Sequence, residues 1–304
     1  MKFIEIARAE KPNVSVKVPE DTVFSFFDSP YIGHRSSTAI DIYFKNREAL
    51  LPVDEAVVKE IRWLNAPKYR VDGSEKEPLI VFKIRNGIVL KMLHVKPEVR
   101  IGEKLVLGDY IGKCIVSGYL CPWSGIHAHI EVRPENDPYR ARGAFKLYIA
   151  PTVSRILEYL NKTCVNQENL VFTVMEVKDA FMWVKFKSIP PNTPYSMCLM
   201  NKLGEKCVLD AGIPYYGIGG CLGRTFEVGE QLYANKGKDY IVGLVISSLE
   251  NASLFTSISE VYVDGVKVRG IGTYIGTSLA KIVFLDKKVW KEGDEGILKF
   301  KQVA

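Results

Sequence analysis

The sequence predicts a mainly β protein of two successive β-rich domains, and three observations carry that expectation. Short β-branched runs recur along the 304-residue chain, turn-forming pairs separate them, and only one stretch has helical periodicity. Between residues 1 and 150 the runs are VSVKV (14–18), TAIDIYF (38–44), AVVKEIRWL (56–64), LIVFKI (79–84), GIVLKML (87–93), KLVLGDYIG (104–112) and HAHIEVR (127–133). Pro52, Asp72-Gly73, Asn86-Gly87 and Gly108-Asp109 punctuate them. The Asp-Gly and Asn-Gly pairs at 72–73 and 86–87 predict hairpins, because such residues tolerate positive φ.

After Pro151 the period changes. Val153, Ile156, Leu157 and Leu160 fall at i, i+3, i+4 and i+7, which predicts a short helix with one apolar stripe. The domain boundary is placed there, giving domains 1–150 and 151–304. Alternating runs then resume with LVFTVMEV (170–177), FMWVKFK (181–187), YIVGLVI (240–246), VYVDGVKVR (261–269), AKIVFL (280–285) and ILKFK (297–301). Asp264-Gly265 between valines is the clearest hairpin signal. SIPPNTP (188–194) and AGIPYYGIGGCLG (211–223) are expected to be loops, and the second domain a sandwich.

Composition narrows the function classes. Hydrophobic residues at 47% and charged residues at 25% suit a chain with a sizeable core. The net charge of +6 is spread without a basic stripe, so no nucleic-acid partner is expected. No apolar run approaches the roughly 20 residues of a membrane helix. The start, MKFIEIARAEKPN, lacks the apolar segment of a secretory signal, so a cytoplasmic location is expected. The six cysteines form no C-x-x-C pair, which argues against zinc-ribbon and thioredoxin-like sites. Buried or free thiols are expected, with Cys114–Cys121 the disulfide to consider. Only three glutamines (Gln167, Gln231, Gln302) point to a heat-adapted source.

The four histidines carry the chemistry. His127 and His129 form a His-x-His pair in an alternating stretch, so both imidazoles project from one face of a strand. His34 precedes Asp41 by seven residues, and neutral imidazole and carboxylate are both good zinc ligands. Those two with one histidine of the pair make a three-ligand set with an open position, the catalytic kind of zinc site. His94 is left to act near it.

The stretch from Gly33 to Arg133 resembles the lysostaphin-type (LytM-like) zinc endopeptidases. GHRSSTAIDIYF is similar to the family's His…Asp metal-binding segment, followed by LLPVDEAVVKEI, RNGIVLKMLHVKPEVRIGEKLVLGDYIG and finally SGIHAHIEVRP, which is similar to the closing Gly-x-His-x-His-x-Glu-x-Arg. The resemblance implies a duplicated-hybrid-motif-like antiparallel β domain, one Zn²⁺ per chain bound by His34, Asp41 and His129, and catalytic His94 and His127 flanking the bound water. One of those two would take the proton and the other stabilise the oxyanion. The implied activity is zinc metallopeptidase hydrolysis of a peptide or peptide-containing polymer. The His–Asp spacing departs from the family's four residues and is similar to that of the related D-Ala-D-Ala dipeptidase and hedgehog-type zinc sites. Residues 151–304 match nothing in the family.

A non-catalytic metal-binding or interaction module on the same fold is the alternative function. Glu131, on the face of His129, is expected either to support that histidine or to form a surface ion pair. Tyr31 and Trp123 are candidates to line a substrate groove.

Overall fold

The computed structural model describes residues 1–164, 168–286 and 289–303, the side chains of 152 and 159–163 excepted. It is mainly β, with antiparallel pairing between the strands. Two compact units emerge: Met1–Phe24 with Tyr31–Thr152, and Ser25–Pro30 with Val153–Ala304. Six residues from the N-terminal half, Ser25–Pro30, therefore cluster with the second unit. Their anchor is Asp210, whose carboxylate accepts hydrogen bonds from the Ser25 hydroxyl (2.6 Å) and the Phe26 amide (2.7 Å). A pairing across 185 residues leaves no local trace in the sequence.

The first unit is organised by a seven-stranded sheet. Its order is Lys104–Val106, Glu55–Asn65, Lys76–Arg85, Ile88–Leu93, Ala128–Pro134, Ile40–Tyr43 and Val23–Ser25. The Asn86-Gly87 turn closes the hairpin between Lys76–Arg85 and Ile88–Leu93, with Gly87 at φ +80°. Asp72-Gly73 lies instead inside a longer connection between paired strands Glu55–Asn65 and Lys76–Arg85. The run at 104–112 splits at Gly108-Asp109 into Lys104–Val106 and Tyr110–Cys114, which belong to different sheets. Two three-stranded sheets complete the unit. One joins Tyr148–Ile149, Phe3–Ala9 and Val14–Pro19, and the other Glu48–Leu50, Tyr110–Cys114 and Val95–Pro97.

Both faces of the strand Ala128–Pro134 are buried, and this positions the site. Ala128, Ile130 and Val132 join Ile40, Ile42, Leu90 and Met92 in the apolar core. The intervening residues His129, Glu131 and Arg133 are buried on the opposite face. Register sets Asp41 and Leu93 on either side of His129, and Lys91 beside Glu131.

In the second unit, among the described residues, thirteen strands join in one sheet. Cys198–Met200, Gln231–Tyr233, Ile241–Leu249, Ala252–Ser257, Ile218–Leu222 and Lys206–Ile213 pair in that order, and the last pairs again with the first, closing a six-stranded ring. From Lys206–Ile213 the sheet continues through Gly270–Thr273, Ala280–Val283, Phe181–Phe186, Leu170–Val177, Glu295–Gln302, Ser259–Val263 and Val266–Val268. The hairpin at Asp264-Gly265 is present, with φ +50° and +84°.

The stretch 211–223 is not a loop. It contributes to two paired strands, Lys206–Ile213 and Ile218–Leu222. Its glycines serve packing: a Cβ on Gly220 would lie 1.9 Å from the Phe27 ring, and one on Gly219 2.6 Å from the Phe255 ring. The helix forms over Pro151–Thr163, but its stripe is partial. Val153 and Leu157 are buried, Ile156 is half exposed, and the Leu160 side chain lies outside the described residues.

The cysteine expectation is also corrected. Disulfides join Cys164 to Cys198 and Cys207 to Cys221, and neither involves Cys114 or Cys121. Leu209 faces Cys221 across neighbouring strands, so Cys207 stands one diagonal step away. Register, not sequence spacing, makes that pair.

Candidate metal centre

The short helix Ile32–Arg35 carries His34 into the first unit, where the side chain is fully buried. Asp41 lies on Ile40–Tyr43, directly opposite His129. Three donor atoms converge. His34 Nε2 and His129 Nδ1 are 3.2 Å apart, His34 Nε2 is 3.2 Å from Asp41 Oδ1, and His129 Nδ1 is 2.9 Å from the same oxygen. A tetrahedral zinc ion sets its ligand atoms about 3.3 Å apart. Two imidazole nitrogens and one carboxylate oxygen at this spacing suit a divalent ion of that kind, and all three residues are buried.

The other two histidines adjoin this triangle. His127 Nε2 is 3.3 Å from the second Asp41 oxygen, while its Nδ1 donates to the Gly125 carbonyl at 2.8 Å. The His94 ring stands nearly perpendicular to that of His127, with centroids 5.2 Å apart, and 6.1 Å from that of His129. The five residues singled out in the sequence thus come together in one cluster within the first unit.

Electrostatics fit a cation site. Burial alone pushes the Asp41 carboxyl upward, but His127, His34 and the hydrogen bond with His129 outweigh it and hold the group well below the usual carboxylate range. Burial lowers His129 as well, yet its contacts with Asp41 and Glu131 dominate and raise it to about 9. Without a metal, a proton on His129 offsets the buried carboxylates. His127 is pushed down to about 4, first by burial and then by His94, against the pull of Asp41. At neutral pH its imidazole is uncharged.

Of the two expectations for Glu131, support of His129 is the one the structure carries: the residue is buried, with Oε1 3.2 Å from His129 Nε2 and 2.9 Å from Lys91 Nζ, and Oε2 accepts from Arg133 Nη1. Sequence reasoning missed other parts of the surroundings. Arg133, fully buried, also donates to the carbonyls of Asp137 (2.8 Å) and Arg142 (2.7 Å). Its alternation with His129 and Glu131 was the available signal. Glu77 gave none, because a glutamate heading an apolar run resembles a solvated strand end.

A cavity of about 220 Å³ opens on His129, His94, Glu131, Glu77 and Lys91. Tyr31 lines it and donates its hydroxyl to the Tyr119 carbonyl, whereas Trp123 is not among its lining residues.

Residues 14–149, less than half of the chain, match a family described as "Domain of unknown function (DUF8155) N-terminal domain". No curated protein matches. Among solved structures, an NMR solution structure of lysostaphin matches with a TM-score of 0.26 and 11% identity, over 82% of this chain and 87% of that one. No helix among the described residues is long and apolar enough to cross a membrane.

Proposed function

We propose that the first unit is a zinc-dependent peptidase that cleaves amide bonds in a peptide or peptide-containing polymer. His34, Asp41 and His129 would hold the ion, and His94 and His127 would handle the proton. The observation that carries the reading is the buried triangle of donor atoms, 2.9–3.2 Å on its edges, at the wall of a cavity that His94 also lines.

A bound zinc ion supplies an acidified water and a polarised carbonyl. The protein supplies the rest. Asp41 contributes one oxygen to the triangle and has the other 3.3 Å from His127 Nε2, so one carboxylate borders both the ligand set and a proton-handling residue. Glu131 orients His129 from the far side of its ring, the support that metal-ligating histidines need. Leu79 and Leu93 give the wall of the same cavity an apolar part beside His94 and His129.

The test pairs metal content with hydrolysis of a mixed peptide library by the full chain. His127→Ala is expected to keep zinc and lose activity by about 100-fold or more, while His34→Ala loses both. Zinc retained with no hydrolysis by the unmodified protein would favour the non-catalytic metal-binding module.

A further inference from the structure

We propose that Glu77 is a positioning residue that clamps His94 in one tautomer, with ring Nε2 turned to the cavity. The inference deepens the peptidase reading and its catalytic meaning rests on it, but the clamp itself is a property of the chain's own side chains.

Glu77 begins a buried apolar run and is itself only 1% exposed, an unfavourable place for a carboxylate without strong partners. It has three. Oε1 accepts from the backbone N–H of His94 at 2.6 Å and lies 3.0 Å from His94 Nδ1, and Oε2 accepts from the hydroxyl of fully buried Ser117. Burial raises the carboxyl, but His94 and these hydrogen bonds together hold it below its ordinary range. An ionised carboxylate has no proton to give, so the Nδ1 it faces must be the protonated one. Nε2 then carries the lone pair.

The backbone agrees. His94 sits at φ +66°, a conformation that costs a non-glycine residue and persists only where surroundings enforce it. Glu77 holds its N–H, and the Ile115 amide donates to its carbonyl at 2.8 Å. Main chain and ring are thus fixed by the same glutamate oxygen. A carboxylate that fixes an imidazole's tautomer and supports the cation formed on proton uptake is the general device of an activated histidine base. His127 has a neutral carbonyl in the corresponding place. The geometry therefore assigns proton uptake to His94 Nε2.

Full chain carrying ¹⁵N-labelled histidine decides the matter through long-range ¹H–¹⁵N correlations, recorded without metal and with zinc alone. The unmodified protein should show His94 protonated at Nδ1. Glu77→Leu, which leaves no acceptor at Nδ1, should shift His94 to a mixed or Nε2-protonated state, and Ser117→Ala should move it part of the way. With peptide substrate, Glu77→Gln, which keeps an acceptor but removes the charge, should lower kcat about 100-fold while KM and zinc stoichiometry stay within twofold. Unchanged His94 resonances in Glu77→Leu would overturn the proposal; if that variant does not fold, unchanged resonances in Ser117→Ala do so. A tautomer that responds to Glu77 in a protein that takes up no zinc upholds the clamp and refutes the peptidase reading.

Discussion

Asp41→Ala is expected to abolish zinc uptake while leaving the protein folded. Asp41 touches both other members of the donor triangle through one oxygen and lies near His127 with its second, so no neighbouring side chain replaces it. Removal of a partner that merely supports a zinc ligand costs roughly 10–100-fold in affinity, and removal of an anionic ligand should exceed that. The strand that carries Asp41 keeps its backbone pairing with Ala128–Pro134, so the fold should persist. Thermal unfolding separates the two effects. The unmodified chain at a hundredfold excess of zinc over Kd should gain about 2.7 kcal/mol over its metal-free form, and the Asp41→Ala chain should gain nothing. A zinc-dependent shift that survives in the variant would place the ion elsewhere.

Arg133→Met is expected to be the most destabilising single change in the first unit, at about 3–5 kcal/mol. The guanidinium is fully buried and engages Glu131 together with the carbonyls of Asp137 and Arg142. Without it Glu131 keeps Lys91 and His129, but its other buried oxygen loses its donor, and so do the carbonyls of Asp137 and Arg142. Arg133→Met with Glu131→Leu leaves buried Lys91 without its carboxylate, yet it is expected to cost less in urea denaturation than the two single changes summed, while zinc binding stays weakened through the missing support of His129. A double variant as unstable as the sum of the two singles would show that the residues act independently.

Much of this arrangement was legible in the chain because it is carried by period-two patterns. His127 and His129 share a face for the same reason that Ile130 and Val132 share the other, and strand register does the rest by seating Asp41 opposite His129. The residues that escaped notice depend on long-range closure. Glu77 reaches His94 across 17 positions and Ser117 across 40, Asp210 reaches Ser25 across 185, and the two disulfides span 34 and 14. The strands hidden in 211–223 escaped for a different reason. Glycines that usually signal a loop are there to admit the rings of Phe27 and Phe255 against the sheet.

Zinc titration of the metal-free full chain tests whether His34, Asp41 and His129 hold one divalent ion. One zinc per chain should bind at neutral pH, with release of the proton that His129, raised to about 9, otherwise retains. Apparent affinity should accordingly climb as pH rises from 7 towards 9, since less proton has to be displaced. X-ray absorption should show two nitrogen donors and one oxygen donor from the protein. A chain that takes up no zinc, or one whose uptake is unaffected by His34→Ala and Asp41→Ala, would contradict the account.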